Sequence, residues 1–170
     1  ATRGQAEFFL SSRGRSITEV KQRHDDLEAS LALVARSLPD DTRQARVERS
    51  DLDRYAFAPE DIIVIVGQDG LVANVAKYLT GQPVIGVDPE PERNAGVLVS
   101  HAAADAADLI AATSAARAPI QPRSMVRATL DDGQTLVALN ELYFGDDGHQ
   151  SARYVVTVPG GASERQSSSG

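Results

Sequence analysis

Residues 62–66, Ile62-Ile63-Val64-Ile65-Val66, form an unbroken β-branched run that ends abruptly at Gly67-Gln68-Asp69-Gly70. β-Branched side chains are stiff at χ1 and pack well on a pleated surface, so the run reads as a strand. It lacks polar alternation, which places both of its faces against other structure, as in the centre of a parallel sheet. Pro83 to Val87 repeats the pattern. Between the two runs, Leu71, Val75 and Leu79 recur on one side of a helix spanning about 71–79. Val97 to Val99 reads as a third strand, and His101 to Arg117 as an alanine-rich helix.

This strand–helix–strand–helix rhythm predicts a doubly wound, Rossmann-like parallel sheet. Upstream, Gln5 to Leu10 reads as a short strand. Ser16 and Glu19 have capping-box spacing. Ile17, Val20, Leu27, Leu31, Val34 and Leu38 follow at helical spacing, giving a helix over 16–37 that Pro39 stops. His24, at the edge of that stripe, reads as a packing histidine. Ala45 to Glu48 reads as a short strand, and 51–59 as irregular.

The rhythm changes after Pro119 and Pro122. Met125 to Leu130 leads into Asp131-Asp132-Gly133, a hairpin signal. Gln134 to Phe144 returns, Gly145 to Gly148 turns again, and Arg153 to Val158 is another strand. The expected organisation is an α/β nucleotide-binding domain over 1–122 and a partial, antiparallel all-β domain over 123–170. The serine-rich stretch Ser163 to Gly170 reads as a flexible linker. The β part is too short to close a sandwich or barrel alone. The expectation is therefore a chain that stops inside a domain, and one whose first residue, not a methionine, leaves room for a segment upstream.

Composition narrows the chemistry. The hydrophobic fraction is 42%, enough for a true core. With no cysteine, disulfides, thiolate zinc sites and cysteine nucleophiles are excluded. His24, His101 and His149 stand far apart and make no metal-ligand spacing. The net charge of −7, with arginines scattered among acids, argues against nucleic acid as a partner. No apolar run approaches the ~20 residues of a membrane span, and no secretory signal is visible, so a cytoplasmic location without a membrane partner is expected.

A strand that breaks into a glycine-bounded loop and then a helix builds a site by geometry. The loop lies at the carboxyl end of the strand, where open α/β sheets bind ligands. Gly67 and Gly70 permit close backbone approach. The helix that follows offers free N–H groups and a positive dipole end suited to phosphate. Asp69 at the loop tip is placed to accept a hydroxyl proton or to orient it. Asp-Gly is equally an ordinary turn pair, so the spacing leaves both readings open. The loop matches neither the Rossmann nor the Walker glycine pattern. A second candidate is Leu139-Asn140-Glu141, where two polar residues interrupt the apolar stretch from Leu136 to Phe144. Such a pair either faces solvent or needs partners.

Asp61 to Gly70 resembles the strand and GGDG loop of the NAD kinase family. Pro83 to Val87 stands where that family has its next strand. Leu139-Asn140-Glu141 resembles its Asn-Glu motif, and Ser151 to Tyr154 together with Glu164-Arg165 fits its β-rich domain. The resemblance implies a site in the crevice between an α/β and a β-rich domain. It implies phosphoryl transfer from ATP or polyphosphate, with Mg2+ or another divalent metal, to the adenosine-ribose 2′-hydroxyl of NAD or a related nucleoside. On that basis Asp69 acts on the attacking hydroxyl. Gly67 and Gly70 shape the loop, Gln68 and Leu71 belong with them to the nucleotide-binding set, and Asn140 and Glu141 hold the dinucleotide. No protein metal ligand is assigned. Self-association into a homo-oligomer is implied as well. Three positions depart from the family: Gln68 replaces a glycine, Leu71 replaces a threonine, and 88–95 lacks a glycine-rich continuation. The family's later Gly- and Thr-rich strand would be expected just past Gly170. A non-catalytic nucleotide-binding regulatory relative, and a related lipid or sugar kinase, are the alternatives.

Overall fold

The structure is a computed structural model that describes residues 4, 7–9, 12, 14, 16–93, 96–145, 148 and 150–168. The chain divides into two compact units, Ala1–Arg123 and Ser124–Gly170.

The first unit is mixed α/β around a three-stranded parallel sheet. Helix α1, Ile17–Ser37, starts where the capping signal places it. The Ser16 Oγ accepts a hydrogen bond from the Thr18 N–H at 3.1 Å, satisfying one of the otherwise free amides of the first turn. Ser16→Ala should cost about 1 kcal/mol, read as a lower urea midpoint at unchanged m-value. The apolar anchor of α1 lies in its carboxyl half: Val34 is buried, Leu33 and the C-cap Leu38 pack beside it, and Val20 is exposed.

Strand β1, Ile63–Val66, pairs in parallel with β2, Val84–Asp88, in the register Ile63↔Val84 to Val66↔Val87. Strand β3, His101–Ala102, pairs with Val87 and Asp88 at the other edge. The period of two along β1 divides the core. Val64 and Val66 face a cluster formed by Val34 of α1, Ile85 and Val87 of β2, and Ala103, Ala106 and Ile110. Ala106 and Ile110 belong to helix α3, Ala106–Ser114. Ile63 and Ile65 face a second cluster with Leu52, Val72, Val75 and Val99. Val72 and Val75 lie on helix α2, Asp69–Ala76. Helices thus cover both faces of the sheet, which explains why β1 and β2 carry no polar alternation.

The second unit contains two hairpins. Strands β4, Val126–Thr129, and β5, Thr135–Ala138, pair antiparallel around the Asp131-Asp132-Gly133 turn. Gly133 adopts φ 87°, a conformation that disfavours other residues. The Asp132 Oδ1 accepts the Gln134 N–H at 2.9 Å. Strands β6, Ala152–Thr157, and β7, Ser163–Ser168, form the second hairpin.

Several elements differ from the sequence expectation. Glu7–Phe9 are helical rather than extended, with the Ser12 N–H donating to the Phe8 carbonyl at 3.0 Å, and Gln5, Ala6 and Leu10 lie outside the described residues. Residues 45–48 are irregular, and Val47 packs against the second cluster instead of joining a ladder. Helix α2 covers Asp69–Ala76 rather than 71–79, and its N-cap, Gln68, makes no side-chain capping bond. The stretch expected to be one helix from His101 to Arg117 spends its first two residues on β3 and the next three on a 3₁₀ turn. Residues 163–168, expected to be a linker, form a strand. Polar cross-strand pairs hold it: the Tyr154 and Ser168 hydroxyls lie 2.8 Å apart, as do those of Thr157 and Ser163.

Candidate functional site

Gly67, Gln68, Asp69, Gly70 and Leu71 stand together at the carboxyl end of β1. The loop is short because α2 starts at Asp69 itself. Gln68 is exposed, and so is Gly70, inside the first turn of α2, where an added Cβ would meet nothing within 4 Å. Gly67 is tighter: a Cβ there would lie 3.0 Å from the Leu71 Cδ2. Leu71 turns inward and packs on the second core cluster. The residue standing where the resembled family has threonine is therefore used for packing.

The Asp69 carboxylate accepts three backbone N–H groups. Val97 donates to Oδ2, and Leu98 and Val99 both donate to Oδ1, each at 2.9 Å. These bonds, that from Val97 foremost, hold the carboxyl below its ordinary value near 3.8, against the opposing effect of burial. Its place in the first turn of α2 favours the anion as well. This capture explains why 97–99 is not the strand its apolar residues indicate. Its amides are spent on a side chain rather than on a neighbouring strand.

A carboxylate offers about four lone-pair sites, and three are taken here. What is left on Oδ2 can receive one hydroxyl hydrogen bond. A carboxylate so stabilised is a weak proton acceptor. The arrangement is thus suited to orienting a hydroxyl more than to deprotonating it.

The segment 96–99 crosses the face of β2 at Gly86. A Cβ at Gly86 would collide with the carbonyl of Leu98 and come within 3.0 Å of the Val99 Cα. Val99 is 2% exposed, whereas Val97 is 65% exposed. Sequence reasoning passed over Gly86, although a glycine within a β-branched strand is itself a signal that another backbone approaches.

A second polar cluster adjoins the end of β2. The Asp88 Oδ1 accepts the Glu90 N–H at 2.8 Å, shaping the turn. The buried Glu90 carboxylate binds Arg23 of α1 through Oε2 at 2.9 Å and Arg93 through Oε1 at 3.3 Å. Both arginines are partly exposed, so the cluster ties α1 to the loop without isolating a charge. An open groove of about 560 Å³ runs beside it, lined by Gln22, Asp26, Pro89, Glu90, Pro91, Glu92 and Arg93.

Asn140 and Glu141 belong to the second unit. Strand β5 ends at Ala138, so they lie beyond the ladder and are exposed, rather than interrupting a strand that runs to Phe144. His24 is exposed rather than packed, and His149 lies outside the described residues. Among the described residues, no three His, Cys, Asp or Glu side chains stand close enough to hold a metal ion. No helix among them is long and apolar enough to cross a membrane. Compared with family models, with curated proteins and with solved structures, the chain matches none.

Proposed function

We propose that the protein is a phosphotransferase of the NAD kinase type, with a Rossmann-like sheet whose carboxyl end receives the acceptor nucleotide. The observation that supports this most is the position of Asp69. It sits at the first turn of a helix that follows a parallel edge strand, with one acceptor site on Oδ2 left open by the described residues. In the reaction the 2′-hydroxyl oxygen of the adenosine ribose bonds to the terminal phosphorus of ATP or polyphosphate. The bond from that phosphorus to the leaving phosphate breaks, and the hydroxyl proton is lost to solvent. In a loose transition state the hydroxyl proton leaves late, so orientation by a weakly basic carboxylate is chemically sufficient. A magnesium ion would enter with the donor's phosphates and would neutralise the charge that develops on them.

A second reading is a non-catalytic nucleotide-binding relative. The inward packing of Leu71 favours it, since an apolar side chain spent on the core offers a transferring phosphoryl group no hydrogen bond there. One experiment separates the two. The protein is incubated with ATP or polyphosphate, magnesium and a panel of NAD, NADH and nucleosides, with mass spectrometry of products and melting temperature as readouts. A product 80 mass units (roughly one phosphoryl group) heavier than its acceptor is the expected result. Raised melting without product supports the second reading. Neither effect removes both.

A further inference from the structure

We propose that Asp69 is a positioning residue: its carboxylate latches Gly96–Val99 across β2 as a fixed wall of the nucleotide site, with Gly86 as the seat of that latch. The inference rests on the nucleotide reading above and adds a role which that reading does not contain. Three independent features place it there. Consecutive amides of Val97, Leu98 and Val99 converge on one carboxylate. The backbone of Leu98 and Val99 lies so close to Gly86 that no other residue fits beneath it. Gly96 is confined in the same way, since a Cβ there would run into the Val99 carbonyl and approach its Cγ2 to 2.9 Å.

The strap is bound on one edge and open on the other. Val99 is sunk among Leu52, Ile65, Val72 and Val75, while Val97 is turned outward beside Asp69. Releasing the strap would break three charge-assisted hydrogen bonds and expose an apolar cluster, so the attached state is strongly favoured. A wall fixed before the ligand arrives saves the ordering that a mobile loop would require on binding. The remaining acceptor on Oδ2 then points a ligand hydroxyl relative to that wall.

The test has two arms on the whole chain, with Asp69→Asn and Gly86→Ala. The first follows hydrogen exchange of the 97–99 amides without ligand. Asp69→Asn retains one acceptor oxygen, so the Val97 amide should exchange at least ~10-fold faster while Leu98 and Val99 keep partial protection. Gly86→Ala should release all three although the carboxylate is untouched. Wild-type protection in both variants overturns the latch. The second arm measures affinity for NAD and for ATP, each used alone as the probe. Gly86→Ala should weaken the bound nucleotide by ~10-fold or more, because the wall is lost. If the strap is free in Gly86→Ala and the nucleotide binds as in wild type or tighter, the positioning role is wrong while the nucleotide reading stands. If the wild-type protein binds neither probe, the nucleotide reading fails and the wall has no site to serve. Should Gly86→Ala not fold, Asp69→Asn carries both arms, and unchanged affinity beside a freed Val97 amide counts against the role.

Discussion

Asp69→Ala should lower the stability of the first unit by roughly 2–6 kcal/mol, measured by urea unfolding. The amides of half-buried Leu98 and buried Val99 are left without an acceptor, at roughly 1–3 kcal/mol each. The exposed Val97 amide regains water and adds little. Acid should have the same effect by another route. The folded pKa of Asp69 is depressed, so its contribution is complete above the unfolded value near 3.8 and is lost as the pH falls through the lower folded value. Stability of the wild type should therefore drop more steeply below about pH 4 than that of Asp69→Asn, which has no carboxylate to protonate. Parallel curves for the two proteins would mean that the three amides do not depend on the charge.

Ile85→Ala should cost roughly 2–5 kcal/mol, against almost nothing for Ile120→Ala. Ile85 is 5% exposed in the central strand, in contact with the cluster that holds α1 and α3, whereas Ile120 is 66% exposed. The cavity would open on the face opposite the strap. Hydrogen exchange should therefore show α1 and α3 loosened, with the 97–99 amides less affected. Equal thermal shifts for the two variants would contradict the assignment of the core.

The parts of the fold written in local residue types were legible. The β-branched runs of β1 and β2, the serine cap of α1 and the Asp-Asp-Gly turn each act through their own side chains or backbone, so sequence suffices to place them. The parts set by distant partners were not. Val97 to Val99 has strand-forming residues, but a carboxylate 28 or more positions away claims their amides. Residues 163–168 are polar enough for a linker, yet pair with β6 through hydroxyl contacts that composition does not encode. For the same reason the geometry of the candidate site was only half legible. The spacing pointed to Asp69 and its loop, while its actual bonding partners, and Gly86 beneath them, emerged only once the strap was in place. Arg23 and Glu90, 67 positions apart, form a contact of the same kind.

The most direct test is a titration of the 15N-labelled protein with NAD, followed residue by residue through its backbone amide resonances. A nucleotide seated at the carboxyl end of β1 should shift Gln68 to Leu71 together with Gly96 to Val99, with a single dissociation constant for both segments. Saturating NAD that leaves those two segments unmoved, whatever it does elsewhere, would contradict the account.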